Sequence, residues 1–339
     1  MTHPLSLATL REVRAALADT GVTVGDVEII RLKPENDWDL FARFCARCKA
    51  LGARHVLVAG DDPDRARLTD SLARFCDIAA PHGLTADLEF MPWTAVPDLE
   101  TALQVVEQAG RANGGVLVDA LHYDRSATTL DQIAALPAHR VNYVQFCDGP
   151  DPFDPGDAGL IRVARGERLL PGQGGIDLIG LAKAMPSDVA VSVEVPNRPL
   201  AAKVDALGRA AMAHAATMAI LRAAGRADSS GRGCFTSARP AGRRVLPDIA
   251  QSDIRQSRRD LTHGREDGPC LRAWRNLMLM EASALYLTLY RCCGIYGTSR
   301  HCVLDRWIAR KREEIHEIPV DRCAWRIRFV RHHGCGGIS

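Results

Sequence analysis

Four oxygen-bearing side chains stand within or at the end of short apolar runs. They are Glu89 in LTADLEFMPW (84–93), Asp119 in VLVDALH, Gln145 in NYVQFCD and Glu194 in VAVSVEVPN. A bare carboxylate is costly to bury in such a run, so each of these positions demands a reason. The intervals between them are 30, 26 and 49 residues; each fits one strand–helix unit, the last stretched by a long loop. In a parallel barrel the C-terminal ends of the strands converge on one mouth, where active sites form. Taken singly, each residue reads most simply as a strand-end group that caps a helix or pairs with an arginine. Taken together in successive strands, two followed closely by Pro92 and Pro196, they read as one divalent-metal site. Oxygen donors suit Mg2+ or Mn2+ and argue against a zinc site built on Cys and His.

Three further residues are candidates for contact with substrate. His122 lies three residues past Asp119; as a ligand it would duplicate Gln145, so a substrate hydrogen bond or a supporting role fits it better than coordination. Arg168 sits in ERLLPGQGGID, where a glycine-rich turn could bring a cation over the mouth. Trp93, next to the break at Pro92, could form an apolar wall against a ligand or pack in the core. Asp148, after Gln145, reads as a brace for a loop rather than a metal ligand.

The elements that must position these residues alternate strand and helix. A helix over Leu5–Leu17 is followed by the strand VTVGDVEIIRL and a helix over Asp37–Leu51. HVLVAG (55–60) follows, an apolar strand of the kind a parallel sheet buries on both faces. A helix over Arg65–Ala80 leads to the strand Thr85–Phe90, and the helix Leu99–Ala109 to the strand 114–123. A short helix Leu130–Leu136, a strand over 140–149 and a Pro/Gly/Asp-rich loop over 151–175 come next. Loops of that length usually serve as lids or substrate contacts. The helix Ile176–Ala184, the strand 189–196 and a long helix Leu200–Ala224 complete the pattern, which is that of an α/β fold with a parallel sheet.

The chain changes character after Arg226. Residues 1–227 carry 29 Asp and Glu against 23 Lys and Arg, whereas residues 228–339 carry 12 against 20. The organisation expected is therefore a barrel over 1–226 and, over 227–339, a basic Cys/Arg-rich extension, disordered or outside the barrel. No run approaches the roughly 18 apolar residues of a membrane span, and the N-terminus has no signal-peptide pattern; a cytoplasmic location without a membrane partner is expected. Eleven cysteines divide as four in the first part and seven beyond Gly233. Cys45 and Cys48 fall on a helical pattern with no second pair at zinc spacing, so they read as buried thiols in a reducing compartment. The tail's Cys and His match no zinc-finger spacing.

GLTADLEFMPW, GGVLVDALHYDRS, VNYVQFCDGP, RLLPGQGGID and VSVEVPNRPL together resemble the sugar phosphate isomerase/epimerase family, the xylose isomerase-like TIM barrels, over about residues 5–225. The resemblance implies that Glu89, Asp119, Gln145 and Glu194 are the family's four metal ligands on its fifth to eighth strands, around one Mn2+ or Mg2+. It implies that His122 is the histidine of the DxxH motif. It implies proton abstraction next to a carbonyl through an enediolate, with one of Glu89 and Glu194 taking the proton and the other returning it. The substrate would be a sugar or polyhydroxy-ketone and the reaction an isomerisation or epimerisation. The same constellation supports elimination of water, as in dehydratases acting on inososes or 3-dehydroshikimate. An inactive fragment or a nucleic-acid-binding relative is the reading from another class; an acidic first part and a tail without interleaved aromatics argue against nucleic acid. Self-association into a homo-oligomer is left open. The resemblance also makes VEIIRL the family's third strand, so the first two strands have no counterpart and strands three and eight are expected as open edges.

Overall fold

The computed structural model describes residues 7–20, 22–226 and 326–330. Helix α1 (Leu7–Thr20) leads into β1 (Thr23–Leu32), and helices and strands then alternate: α2 (Trp38–Leu51), β2 (His55–Gly60), α3 (Arg65–Ala79), β3 (Thr85–Glu89), α4 (Leu99–Ala109) and β4 (Gly114–Asp119). The second half holds α5 (Ala120–Arg125), α6 (Leu130–Ala134), β5 (Tyr143–Phe146), α7 (Asp157–Gly166), α8 (Leu178–Ala184), β6 (Ala190–Val193), α9 (Arg198–Ala201) and α10 (Ala206–Ala223). A last strand, β7 (Arg326–Val330), comes from the extension. Strands β1 to β6 are parallel and lie in sequence order, giving a six-stranded half-barrel with alternating helices. Among the described residues no helix is long and apolar enough to cross a membrane.

The helices start where the sequence supplies an acceptor for their first amides. Asp37, Asp64, Asp98 and Asp205 each accept from a backbone N–H three residues on, opening α2, α3, α4 and α10. Gly52, at φ 76°, closes α2 in the left-handed region that a side chain disfavours.

Strand alternation sorts the side chains into two cores. One face of the sheet, including Val56, Val58, Ala86, Leu88, Phe90, Val116 and Val144, packs under the helices in a continuous apolar cluster. The other face is the concave interior. It has a small apolar layer of Leu57, Leu117 and Tyr143, with Ile29 and Ala190 against it. Polar groups lie on either side of that layer along the strands. Toward the strand starts, Asp87 accepts from Thr85 Oγ1 at 2.5 Å and from Asn142 Nδ2 at 2.6 Å, and His55 Nδ1 lies 2.8 Å from Thr85 Oγ1. Gly115 makes room for this network, because a Cβ there would overlap Asp87 Oδ1 and Asn142 Nδ2.

Several expectations change in detail. The strand expected over 114–123 stops at Asp119, whose side chain accepts from the amides of Leu121 and His122 and so starts α5. The segment 151–175 is not all loop: DAGLIRVARG forms α7, burying Leu160, Val163 and Ala164 on one face. The long helix expected over Leu200–Ala224 is two, α9 and α10, separated where Asp205 opens a new helix. The edge of β1 is not open: β7 pairs with it antiparallel, Thr23 opposite Val330 and Glu28 opposite Arg326. The rest of the 227–339 extension, and the first two residues of the helix expected over Leu5–Leu17, lie outside the described residues.

Burial raises Asp87 from the ordinary 3.8 to about 7, with its two hydrogen bonds opposing. A carboxyl that keeps its proton only when folded costs stability as pH rises from about 4 to about 7, at up to about 1.4 kcal/mol per pH unit. Asp87→Asn removes that slope, so the variant's stability relative to wild type is expected to grow between pH 4 and 7 and then level off. Urea midpoints across that range test it; a constant difference between the two proteins would contradict the assignment.

Candidate metal centre

Glu89 ends β3 and Asp119 ends β4, both on the concave face, and both are buried. Asp119 Oδ1 accepts from Leu121 N at 2.9 Å and His122 N at 3.1 Å. The carboxylate that closes the strand therefore also starts α5 and turns His122 back over the mouth. His122 Nε2 lies 3.7 Å from Glu89 Oε1 and 3.9 Å from Asp119 Oδ1. Ligand atoms of the three buried residues all fall within 4.8 Å of one another, the separation at which one cation can be shared.

Arg168 is the cation already present. It is 2% exposed. Its Nη1 donates to Asp119 Oδ2 at 2.5 Å and to Cys147 Sγ at 3.3 Å, and its Nη2 lies 3.5 Å from Glu194 Oε1. Its backbone is fixed too, the N–H donating to Pro196 O and the carbonyl accepting from Asn197 Nδ2 at 2.8 Å. One side chain thus ties the ends of β4, β5 and β6 together. Gln145 stands opposite Asp119 in the β4–β5 register, and its Nε2 donates to Glu28 Oε1 at 3.4 Å.

Three carboxylates, one imidazole and one guanidinium meet in this buried space. Burial, then Asp119 and Glu194, push Glu89 well above the usual carboxylate range. Burial acts on Asp119 the same way, but the Arg168 guanidinium beside it outweighs burial and holds the group below the ordinary value. Burial lowers His122 to about 4, with Asp119 opposing, so its imidazole is neutral at neutral pH and can accept or coordinate. If ionised, Glu89, Asp119 and Glu194 exceed the charge of Arg168 by two, counted over these four side chains alone, and a divalent ion would offset that difference. The donor set fits such an ion.

Of the residues singled out in the sequence, Glu89, Asp119 and His122 come together. Glu194 joins them through Arg168, and Gln145 lies alongside Asp119. Trp93 meets the His122 ring edge-on, 5.0 Å between centroids. Asp148 braces the rim: it accepts from the amides of Gly149, Gly172 and Ile176, pinning both ends of the segment that carries α7. Glu28 was missed. The available signal was an acid inside VEIIRL, the same pattern that marks Glu89.

Arg168→Met would leave Asp119 and Glu194 facing each other in a buried site. The expected loss is about 3–5 kcal/mol of stability, read by chemical denaturation in the presence of a chelator. Arg168→Lys, which keeps the charge, is expected to lose less; equal losses would mean that packing rather than charge governs the position.

The family model described as "Xylose isomerase-like TIM barrel" matches residues 1–221. The chain is similar to an inosose isomerase of Bacillus subtilis (strain 168), 27% identical over 162 residues, covering 44% of this chain and 56% of that protein. It is similar to a 3-dehydroshikimate dehydratase of Pseudomonas aeruginosa, 29% identical over 188 residues, covering 50% of this chain and 28% of that protein. The chain thus spans little more than half of the first relative and less of the second. The fold is shared with a solved structure described as "IOLI protein with a binding zinc atom" at TM-score 0.53 and 20% identity, covering 65% of this chain and 83% of that one.

Proposed function

This chain belongs to the xylose isomerase-like TIM barrel family, and on that premise we propose that it moves a proton next to the carbonyl of a sugar or polyhydroxy-ketone. The reaction is an isomerisation or epimerisation dependent on a divalent cation. The observation that carries this reading is the convergence of buried Glu89, Asp119 and His122 at the mouth formed by successive strand ends. Glu89, Asp119, Gln145 and Glu194 would hold the ion, Mn2+ or Mg2+, from the ends of four successive strands. When bound, it would supply Lewis-acid polarisation of the substrate's oxygens.

The side chains divide the remaining work. Glu89 and Glu194 are the acid–base pair, one taking the proton and the other returning it. Burial and the neighbouring Asp119 and Glu194 raise the proton affinity of Glu89, and a bound divalent ion would oppose that shift. His122 faces the substrate rather than serving as a ligand. Ligating histidines donate their second ring N–H to a fixed acceptor, and the Nδ1 of His122 is buried with no hydrogen-bond partner among the described residues. Packing against Trp93 holds the ring instead. Arg168 binds a substrate oxygen or keeps Asp119 and Glu194 aligned, and Trp93 excludes water from one side.

Elimination of water is the second reading, favoured by the likeness to the dehydratase. The same abstracted proton starts it, and a leaving hydroxyl on the next carbon completes it.

Titration of Mn2+ and Mg2+ into the chain, with Zn2+ for comparison, is expected to show one site, lost in Glu89→Gln and in Asp119→Asn. A panel of ketoses, inososes and 3-dehydroshikimate then separates the reactions: elimination produces a conjugated ultraviolet chromophore, isomerisation does not. Metal binding retained in both variants would overturn the assignment.

A further inference from the structure

We propose that the groove between α7 and α9 is a subsite for an oxyanion, a phosphate or carboxylate carried by the substrate. The groove itself stands on its own geometry; its link to substrate rests on the proton-transfer chemistry proposed for the centre. It has a volume of about 500 Å³, and its lining includes Ile161, Arg162, Arg165, Glu167, Arg198 and Pro199.

Three guanidinium groups reach this groove from two separate elements. Arg162 and Arg165 lie one turn apart on the exposed side of α7, whose opposite side is buried. Arg198 comes from the segment that follows β6. It lies across the end of α7 at Gly166, where a Cβ would stand 3.0 Å from Arg198 Nε and 3.3 Å from its Cζ, close enough to shift that side chain slightly. The backbone before it is held as well. Asn197 caps α9 by accepting from Leu200 N at 2.7 Å, donates to Arg168 O, and forms a bridge with Glu167.

The charges leave room for an anion. Arg162 pairs with Glu167, and among the described residues Arg165 and Arg198 form no ion pair with a carboxylate. Two guanidinium groups are thus in excess at the edge of a concavity. The planar fork of arginine matches phosphate and carboxylate oxygens two at a time. Isolated surface arginines are ordinarily just solvated; here three converge on one groove. Position ties the groove to the chemistry. Glu167 lines it, and the next residue, Arg168, places its guanidinium on Asp119 and Glu194. Glu167 and Arg168 turn to opposite sides of this backbone, so a substrate with its carbonyl at the centre would have to pass its anionic tail over it to reach the groove.

Calorimetric titration of the full chain with inorganic phosphate at low salt tests the groove. Affinity is expected to fall about tenfold in the Arg165→Ala/Arg198→Ala double variant and to rise in Glu167→Gln, a gain that misfolding cannot produce. It should be unchanged in Glu89→Gln. A hexose 6-phosphate and 3-dehydroshikimate, set against the unphosphorylated hexose, then show which anion is carried: at least one should bind more tightly than inorganic phosphate. Equal phosphate affinity in all variants would overturn the site. Failure of both anionic compounds to exceed phosphate would overturn its link to substrate. Phosphate binding that persists while divalent metals do not bind would remove the chemistry proposed for the centre and leave the oxyanion site standing.

Discussion

The contact between Arg168 and Asp119 is the interaction on which the rest of the centre depends. Parallel strands deliver their C-terminal side chains to one rim whether or not those side chains repel one another. Here they deliver Glu89, Asp119 and Glu194 into a space that excludes water. Carboxylates so placed must share a cation, take up protons or stay apart. The structure uses the first two. Arg168 enters from the segment before β6 and keeps Asp119 ionised, while Glu89, farther from that guanidinium's direct reach, is biased toward its protonated form. Two chemically similar groups a few ångströms apart are thereby shifted in opposite directions.

Such a cluster can be tolerated because stability is gained elsewhere. The face of the sheet turned toward the helices is almost wholly apolar and is covered by α2, α3, α4 and α8, so the concave face is relieved of most of the packing. Its apolar layer of Leu57, Leu117 and Tyr143 is thin, yet it separates two polar regions. One is the centre at the strand ends; the other is the Thr85–Asp87–Asn142–His55 network near the strand starts. Gly115 shows how tightly the second is fitted, since even a methyl group would displace the hydrogen bond it shelters. The antiparallel pairing of β7 with β1 satisfies backbone groups along that side of the sheet, while β6 is the edge strand on the other side among the described residues.

Much of this was legible in the sequence because the relevant signals are local. Alternating strand and helix patterns with aspartate caps give the order of elements, and polar residues stranded in apolar runs mark Glu89 and Asp119. What escaped has non-local or masked causes. Helix α7 was hidden by its flanks: DPFDPGD and ERLLPGQGG read as loop, although Leu160, Val163 and Ala164 keep a helical spacing between them. Glu28 was read only as part of a strand, because its partner Gln145 lies 117 residues away. The depth of Arg168 could not be foreseen either, since a loop arginine is ordinarily solvated and only the acids it meets from β4 and β6 draw it inward. The end of β4 was overrun because Ala120 and Leu121 extend the apolar run, while the side chain of Asp119 captures the next amides and begins a helix instead.

The segment after β5 therefore works as a tethered rim rather than a loose flap. Asp148 fixes its two ends through three amides, a short antiparallel bridge joins Asp148 to Leu169, and Asn197 clasps its far side. Between those anchors, successive residues turn opposite ways: Arg168 inward to the acids, Glu167 outward to Arg162 of α7. A displacement of this backbone would move both at once. In the reaction proposed above the strand ends would supply the groups around the reacting atoms, and the rim segment would select which substrate presents its carbonyl to them. Both proposed roles would meet at the Glu167–Arg168 peptide, where a change in either residue's direction would separate contact with an anionic tail from the alignment of Asp119 and Glu194.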